Sequence, residues 1–174
     1  MMKRISFILE KIVDFGGYLS GWLVPLMMIL VAVEVFMRYV LYQPLMVADE
    51  FSAYLLVALS YLGMAYTWKQ GGHVRINLLV NRLPARVSGW IRLMALILVL
   101  IFLIGLDQAG YKMIMYALKI NLRSETWLTF PLFWPQLTIF IGFLLLTLLL
   151  VVEVARTITK IRAGENVEEA TKWV

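Results

Sequence analysis

Cysteine is absent from this 174-residue chain, and histidine occurs once, at His73. The first absence excludes disulfides, thiolate metal sites, iron–sulfur clusters and a cysteine nucleophile. The second excludes a multi-histidine metal site. Charge is also scarce: 16% of residues are Asp, Glu, Lys or Arg, and they cluster between long apolar runs. The chain has no G-x-S-x-G elbow, no phosphate-cradling G-x-x-x-x-G-K-[ST] and no H-E-x-x-H. His73 follows Gly71 and Gly72 and precedes Val74 and Arg75. With no triad acid in a motif beside it, it reads as an interfacial residue and not as a general base. The expectation is a chain that is not an enzyme and holds no cofactor.

What the chain does have is apolar surface, with 62% of residues hydrophobic. A soluble domain of this size has too little interior to hide so much, so the excess must face lipid or a partner. The net charge of +5 would elsewhere hint at nucleic acid. Here the basic residues flank apolar runs, which favours anionic lipid headgroups and no nucleic acid. Lys3 and Arg4 resemble the start of a signal peptide. But Glu10, Lys11 and Asp14 interrupt the approach to the apolar run and no A-x-A-like site follows, so the first span is read as retained.

A helix needs roughly 20 apolar residues to cross the hydrocarbon core. Uncharged runs at 15–33, 51–68, 93–106 and 126–152 predict four spans at about 15–38, 49–69, 88–116 and 131–154, all in one membrane domain covering 1–174. The third passes through Asp107 and Gln108, which then face protein or headgroups. Trp22, Trp68, Trp90, Trp127 and Trp134 are expected near helix ends, where indole prefers the interface.

Of the 16 basic residues, 12 fall on one predicted side. Three precede span one, five (Lys69, Arg75, Arg82, Arg86 and Arg92) lie between spans two and three, and four follow Val154. The other side has Arg38, Lys112, Lys119 and Arg123. The positive-inside rule then makes both termini cytoplasmic. The stretch 156–174 reads as a solvated tail.

Between His73 and Pro84, Ile76, Leu79, Val80 and Leu83 follow an i, i+3, i+4, i+7 pattern. This predicts a short amphipathic helix at about 74–83 on the membrane surface. Arg75, Arg82 and Arg86 would meet lipid phosphates. The fold class is therefore an all-α integral membrane protein with four transmembrane helices and one interfacial helix.

Glu34 and Arg38 are i, i+4 on one helix, in the favourable order. Asp49 and Glu50 open span two on the same side. Either Glu34 couples transport to an ion, or these four form a structural ion-pair cluster. The second reading is favoured because a basic partner lies one turn away and an unpaired ion in a membrane is costly.

These features together resemble a known family, the small (Q-type, DctQ-like) membrane subunit of TRAP transporters, the tripartite ATP-independent periplasmic carriers. The matching residues are Phe36-Met37-Arg38-Tyr39-Val40-Leu41, then Pro44 and Asp49-Glu50. Gly63, Ala65 and His73-Val74-Arg75 follow, and then Ser124, Leu128, Pro131, Trp134 and Gly142. One position departs: the family often has tryptophan three residues after that proline, and here it is Val47. The resemblance implies pairing with a large elevator-type membrane subunit that carries the sodium and substrate sites. It implies a periplasmic binding protein that delivers an organic acid such as a dicarboxylate, sialic acid or a sulfonate. The small subunit would brace the static scaffold, and Gln43, Pro44, Ser124, Glu125 and Trp127 would help dock the binding protein. The rival reading is an autonomous four-span proton-coupled exporter using Glu34. Such exporters are shorter, and their glutamate lacks an arginine one turn away.

Overall fold

The computed structural model describes residues 2–71, 85–126 and 128–163. Four helices account for nearly all of them: α1 (Met2–Tyr39), α2 (Ala48–Lys69), α3 (Ala85–Lys119) and α4 (Phe133–Ala163). All four are long and apolar enough to cross a membrane. The expected interfacial helix at 74–83, with Arg75 and Arg82, and residue Trp127 lie outside the described residues. So does the side chain of Arg86, whose backbone is in the first turn of α3.

Local chemistry explains the helix ends. Asp49 and Glu50 occupy the first turn of α2, where carboxylates complement the helix dipole. Gly71, at φ 72°, stops α2 in the left-handed conformation that glycine adopts without penalty. Asn121, at φ 50°, does the same after α3.

The helices are longer than the apolar runs. α1 begins twelve residues before Asp14, because Leu9 and Val13 are buried in the main core with Leu149 and Leu150. α4 continues to Ala163, into the stretch expected to be a solvated tail. Thr157 is fully buried there, so the tail expectation is corrected for 156–163. The correction has a physical cause: Glu10 on the α1 extension and Arg156 on the α4 extension pair with each other.

The short α1–α2 and α3–α4 connections make antiparallel neighbours of the helices they join. α2 and α4 run parallel and join the two hairpins, giving a row α1–α2–α4–α3 in which α1 also reaches α4 over a small patch. The α2–α4 crossing is close. A Cβ on Gly142 would lie 2.7 Å from the Tyr61 carbonyl carbon. In the α1–α2 contact, a Cβ on Gly16 would lie 3.3 Å from the Leu62 carbonyl oxygen. Small residues at helix crossings are what packing in lipid requires. Large side chains stay uncovered on the two edge helices, with Trp22 75% and Met94 71% exposed. Trp22 is well inside the apolar length of α1, so its expected place at a helix end is also corrected.

Candidate functional site

Charged side chains collect in two layers. The near layer lies where α1 begins its apolar stretch and α4 ends its own. Lys69 places Nζ 2.6 Å and 2.7 Å from the two carboxylate oxygens of Asp14, tying α2 to α1. Arg156 on α4 meets Glu10 on α1 at 3.1 Å. Glu153 on α4 is 1% exposed and accepts from two helices at once. Arg92 Nη2 on α3 donates to its Oε1 at 3.0 Å, and Trp68 Nε1 on α2 donates to its Oε2 at 2.6 Å. All four helices are thus linked at one level.

The far layer is at the opposite end. Arg38 donates through Nε and Nη2 to Glu34 Oε1, at 3.0 Å and 2.7 Å. Glu34 Oε2 accepts the backbone N–H of Leu45 at 2.9 Å, which pins the α1–α2 loop. Arg38 also lies 3.6 Å from Asp49, an exposed pair of little energetic weight. Glu50 does not join this cluster. It faces the α3–α4 loop, accepting hydrogen bonds from Tyr54 and Thr126. The expected four-residue cluster is therefore corrected to Glu34, Arg38 and Asp49. Glu50 is turned away by the hydroxyl groups that reach it from the other hairpin. An aromatic set supports that contact, with the Phe130 ring 5.6 Å from Phe51 and 5.2 Å from Tyr54.

The layers have a constant spacing. Asp14 to Glu34 on α1 and Glu50 to Lys69 on α2 are 20 and 19 residues, and on α3 Lys112 stands 20 residues beyond Arg92, at the depth of the far layer. Each is about 30 Å of helix. That is the thickness of a hydrocarbon core. Between the layers, the described ionisable contact is Asp107 Oδ2 accepting from Thr147 Oγ1 at 2.7 Å, which joins α3 to α4.

Of the residues expected to dock a binding protein, Gln43 and Pro44 are exposed in the α1–α2 loop, and Glu125 is exposed in the α3–α4 loop. Ser124 is half-buried, and its Oγ lies 2.9 Å from Thr126 Oγ1. Glu50 therefore ties α2, just after the first loop, to the second.

A groove of about 420 Å³ runs between α1 and α2, lined by Gly17, Ser20, Ser60, Gly63 and Thr67 among others. Its serine and threonine hydroxyls are engaged at home. Ser20 donates to Gly16 O at 2.7 Å, Ser60 to Leu56 O at 2.8 Å and Thr67 to Gly63 O at 3.0 Å. Among the described residues, no group of three His, Cys, Asp or Glu is placed to hold a metal ion.

Glu153 and Trp68 were not legible as a pair. Glu153 ends a long uncharged run and reads locally as the start of a tail, while Trp68 reads as an interfacial indole. Its other partner, Arg92, lies 61 positions away. The one available signal was that each charge flanking a span needs a counter-charge at the same depth.

The fold and the layers define a multi-pass membrane protein with charged layers at both ends of its helices. The sequence profile of the tripartite ATP-independent periplasmic transporters, DctQ component, matches residues 27–160. The chain belongs to this family. It is also 31% identical over 84 residues to a protein of Haemophilus influenzae designated a TRAP transporter small permease protein. That match covers 48% of this chain and 50% of the relative.

Proposed function

We propose that this chain is the small scaffold subunit of a sodium-coupled TRAP transporter for organic acid uptake. It braces a large elevator-type membrane subunit and helps a periplasmic binding protein dock. Sodium and substrate bind on the large subunit, and this chain holds no cofactor and catalyses no reaction. The observation that carries the reading is the pair of charged layers. The near layer locks all four helices at one membrane boundary, and the far layer ties α1 to α2 and α2 to the α3–α4 loop at the other, as a static brace needs; Glu34 is occupied by Arg38 and a backbone N–H. An exporter's coupling acid would have to be free to exchange its proton.

The near layer is assigned to the cytoplasmic face of an inner membrane, following the basic bias of the flanking segments. Arg75, Arg82 and Arg86 then meet lipid phosphates there. The far loops face the periplasm, where Gln43, Pro44, Ser124, Glu125 and Trp127 receive the binding protein.

Reconstitution tests this. Liposomes with this chain alone should take up no organic acid, whereas this chain with the large subunit and binding protein should do so on a sodium gradient. Uptake or proton antiport by the chain alone, abolished by Glu34→Gln, would establish the exporter instead. Gln43→Ala with Glu125→Ala should raise the binding-protein concentration for half-maximal uptake and leave the saturated rate intact. An unchanged concentration dependence would remove the docking role.

A further inference from the structure

The two edge helices present different outward faces. On α1, the face away from α2 has no amide or charged side chain within the membrane: Trp22 and Ile29 are 75% and 62% exposed there, and Gly21 is as open as Gly105 on α3. Lipid tails cover such a face without cost. On α3, Leu98, Ile101, Gly105, Gln108, Lys112 and Lys119 recur with alternating steps of three and four, except at the last. All are exposed, and they face away from the α4 contact made by Leu96, Leu103, Gly110 and Ile114. Steps of three and four define a helix-packing seam.

The centre of this seam does not suit lipid. A Cβ built on Gly105 would meet nothing within 4 Å, so the backbone there is open to close approach. Gln108 is exposed, about 6 Å along the axis inside Lys112, which stands at the far boundary. A primary amide at that depth finds no hydrogen-bond partner among acyl chains, but finds one on a neighbouring helix. The seam also argues against a second copy of this chain. Two copies in one membrane share one orientation, so a symmetric α3–α3 contact would set Lys112 against Lys112 and Lys119 against Lys119. Like charges facing each other oppose that pairing.

We infer that the outward face of α3 is the lateral docking seam for a transmembrane helix of the large subunit. That helix carries a small residue opposite Gly105, a hydrogen-bonding side chain opposite Gln108, and an acid or exposed carbonyl near Lys112 and Lys119. The inference rests on the proposed role as a small transporter subunit and specifies which edge meets the partner.

The chain has no cysteine, so a single introduced thiol marks one position. Gln108→Cys and, as the α1 control, Ile29→Cys are labelled with a benzophenone maleimide and irradiated in membranes containing the large subunit. Gln108→Cys should give an adduct identified by mass spectrometry as the large subunit, at least tenfold above Ile29→Cys. Gly105→Leu should lower recovery of the large subunit with this chain at least fivefold while its own insertion stays normal. A lipid-only adduct at Gln108→Cys, an adduct of twice the chain's mass, or a stronger adduct at Ile29→Cys would overturn the inference. If the unsubstituted chain fails to recover the large subunit, the proposed function itself fails, which is a separate result.

Discussion

At the scale of single residues, the arrangement around Glu153 carries the most energetic weight. A carboxylate 1% exposed has lost its water, and its stability depends on Arg92 and Trp68 supplying both donors. Removing one member of a buried ion pair costs about 3–5 kcal/mol, because the other is left uncompensated. Arg92→Leu alone should therefore lower the melting temperature of the detergent-purified chain sharply. Arg92→Leu with Glu153→Leu should recover much of the loss, since an apolar pair of similar volume is often neutral. A double variant as unstable as the single one would show that packing, and not charge pairing, is what matters there. The far layer behaves differently. Arg38 and Asp49 are open to water, so losing that pair should change stability little.

At the scale of helices, existence and type were legible and extent was not. Each apolar run announced a helix because nothing else satisfies backbone groups in lipid. The ends were misjudged where charges interrupt the runs. Glu10 and Asp14 look like a break in α1 until Arg156 and Lys69 neutralise them, and those partners are 146 and 55 positions away. The Glu34–Arg38 contact was legible because it lies within one helical turn. Glu50's turn towards Thr126 was not, since it depends on where the α3–α4 loop lands. Interhelical spacing is set by glycine, and this can be tested with a built-in control. Gly142→Ala would push its methyl into the Tyr61 backbone, and such overpacking costs about 1–3 kcal/mol. Gly105→Ala meets open space, and replacing a helical glycine gains about 0.5–1 kcal/mol. The two alanines should move the melting temperature in opposite directions. A gain for both would mean that the α2–α4 crossing tolerates widening, and a loss for both that Gly105 does not meet open space.

At the scale of the whole molecule, the charged layers fix the depth of the protein but not which face of the membrane each occupies. Depth follows from spacing: about 30 Å of helix between layers matches the apolar thickness it must cross. Sidedness is a prediction from the basic bias of the flanking segments, which favours the cytoplasm for the near layer. The absence of native cysteine makes the assignment directly measurable in intact cells. Tyr42, 85% exposed in the α1–α2 loop, and Ala163, exposed at the end of α4, lie beyond opposite layers. Tyr42→Cys should react with a membrane-impermeant maleimide added outside spheroplasts, and Ala163→Cys should react only after lysis. The reverse pattern would invert the topology. It would place the loops with Gln43 and Glu125 in the cytoplasm, where no periplasmic binding protein can reach them. The docking role would then fall, while the four-helix scaffold and its two charged layers would stand unchanged.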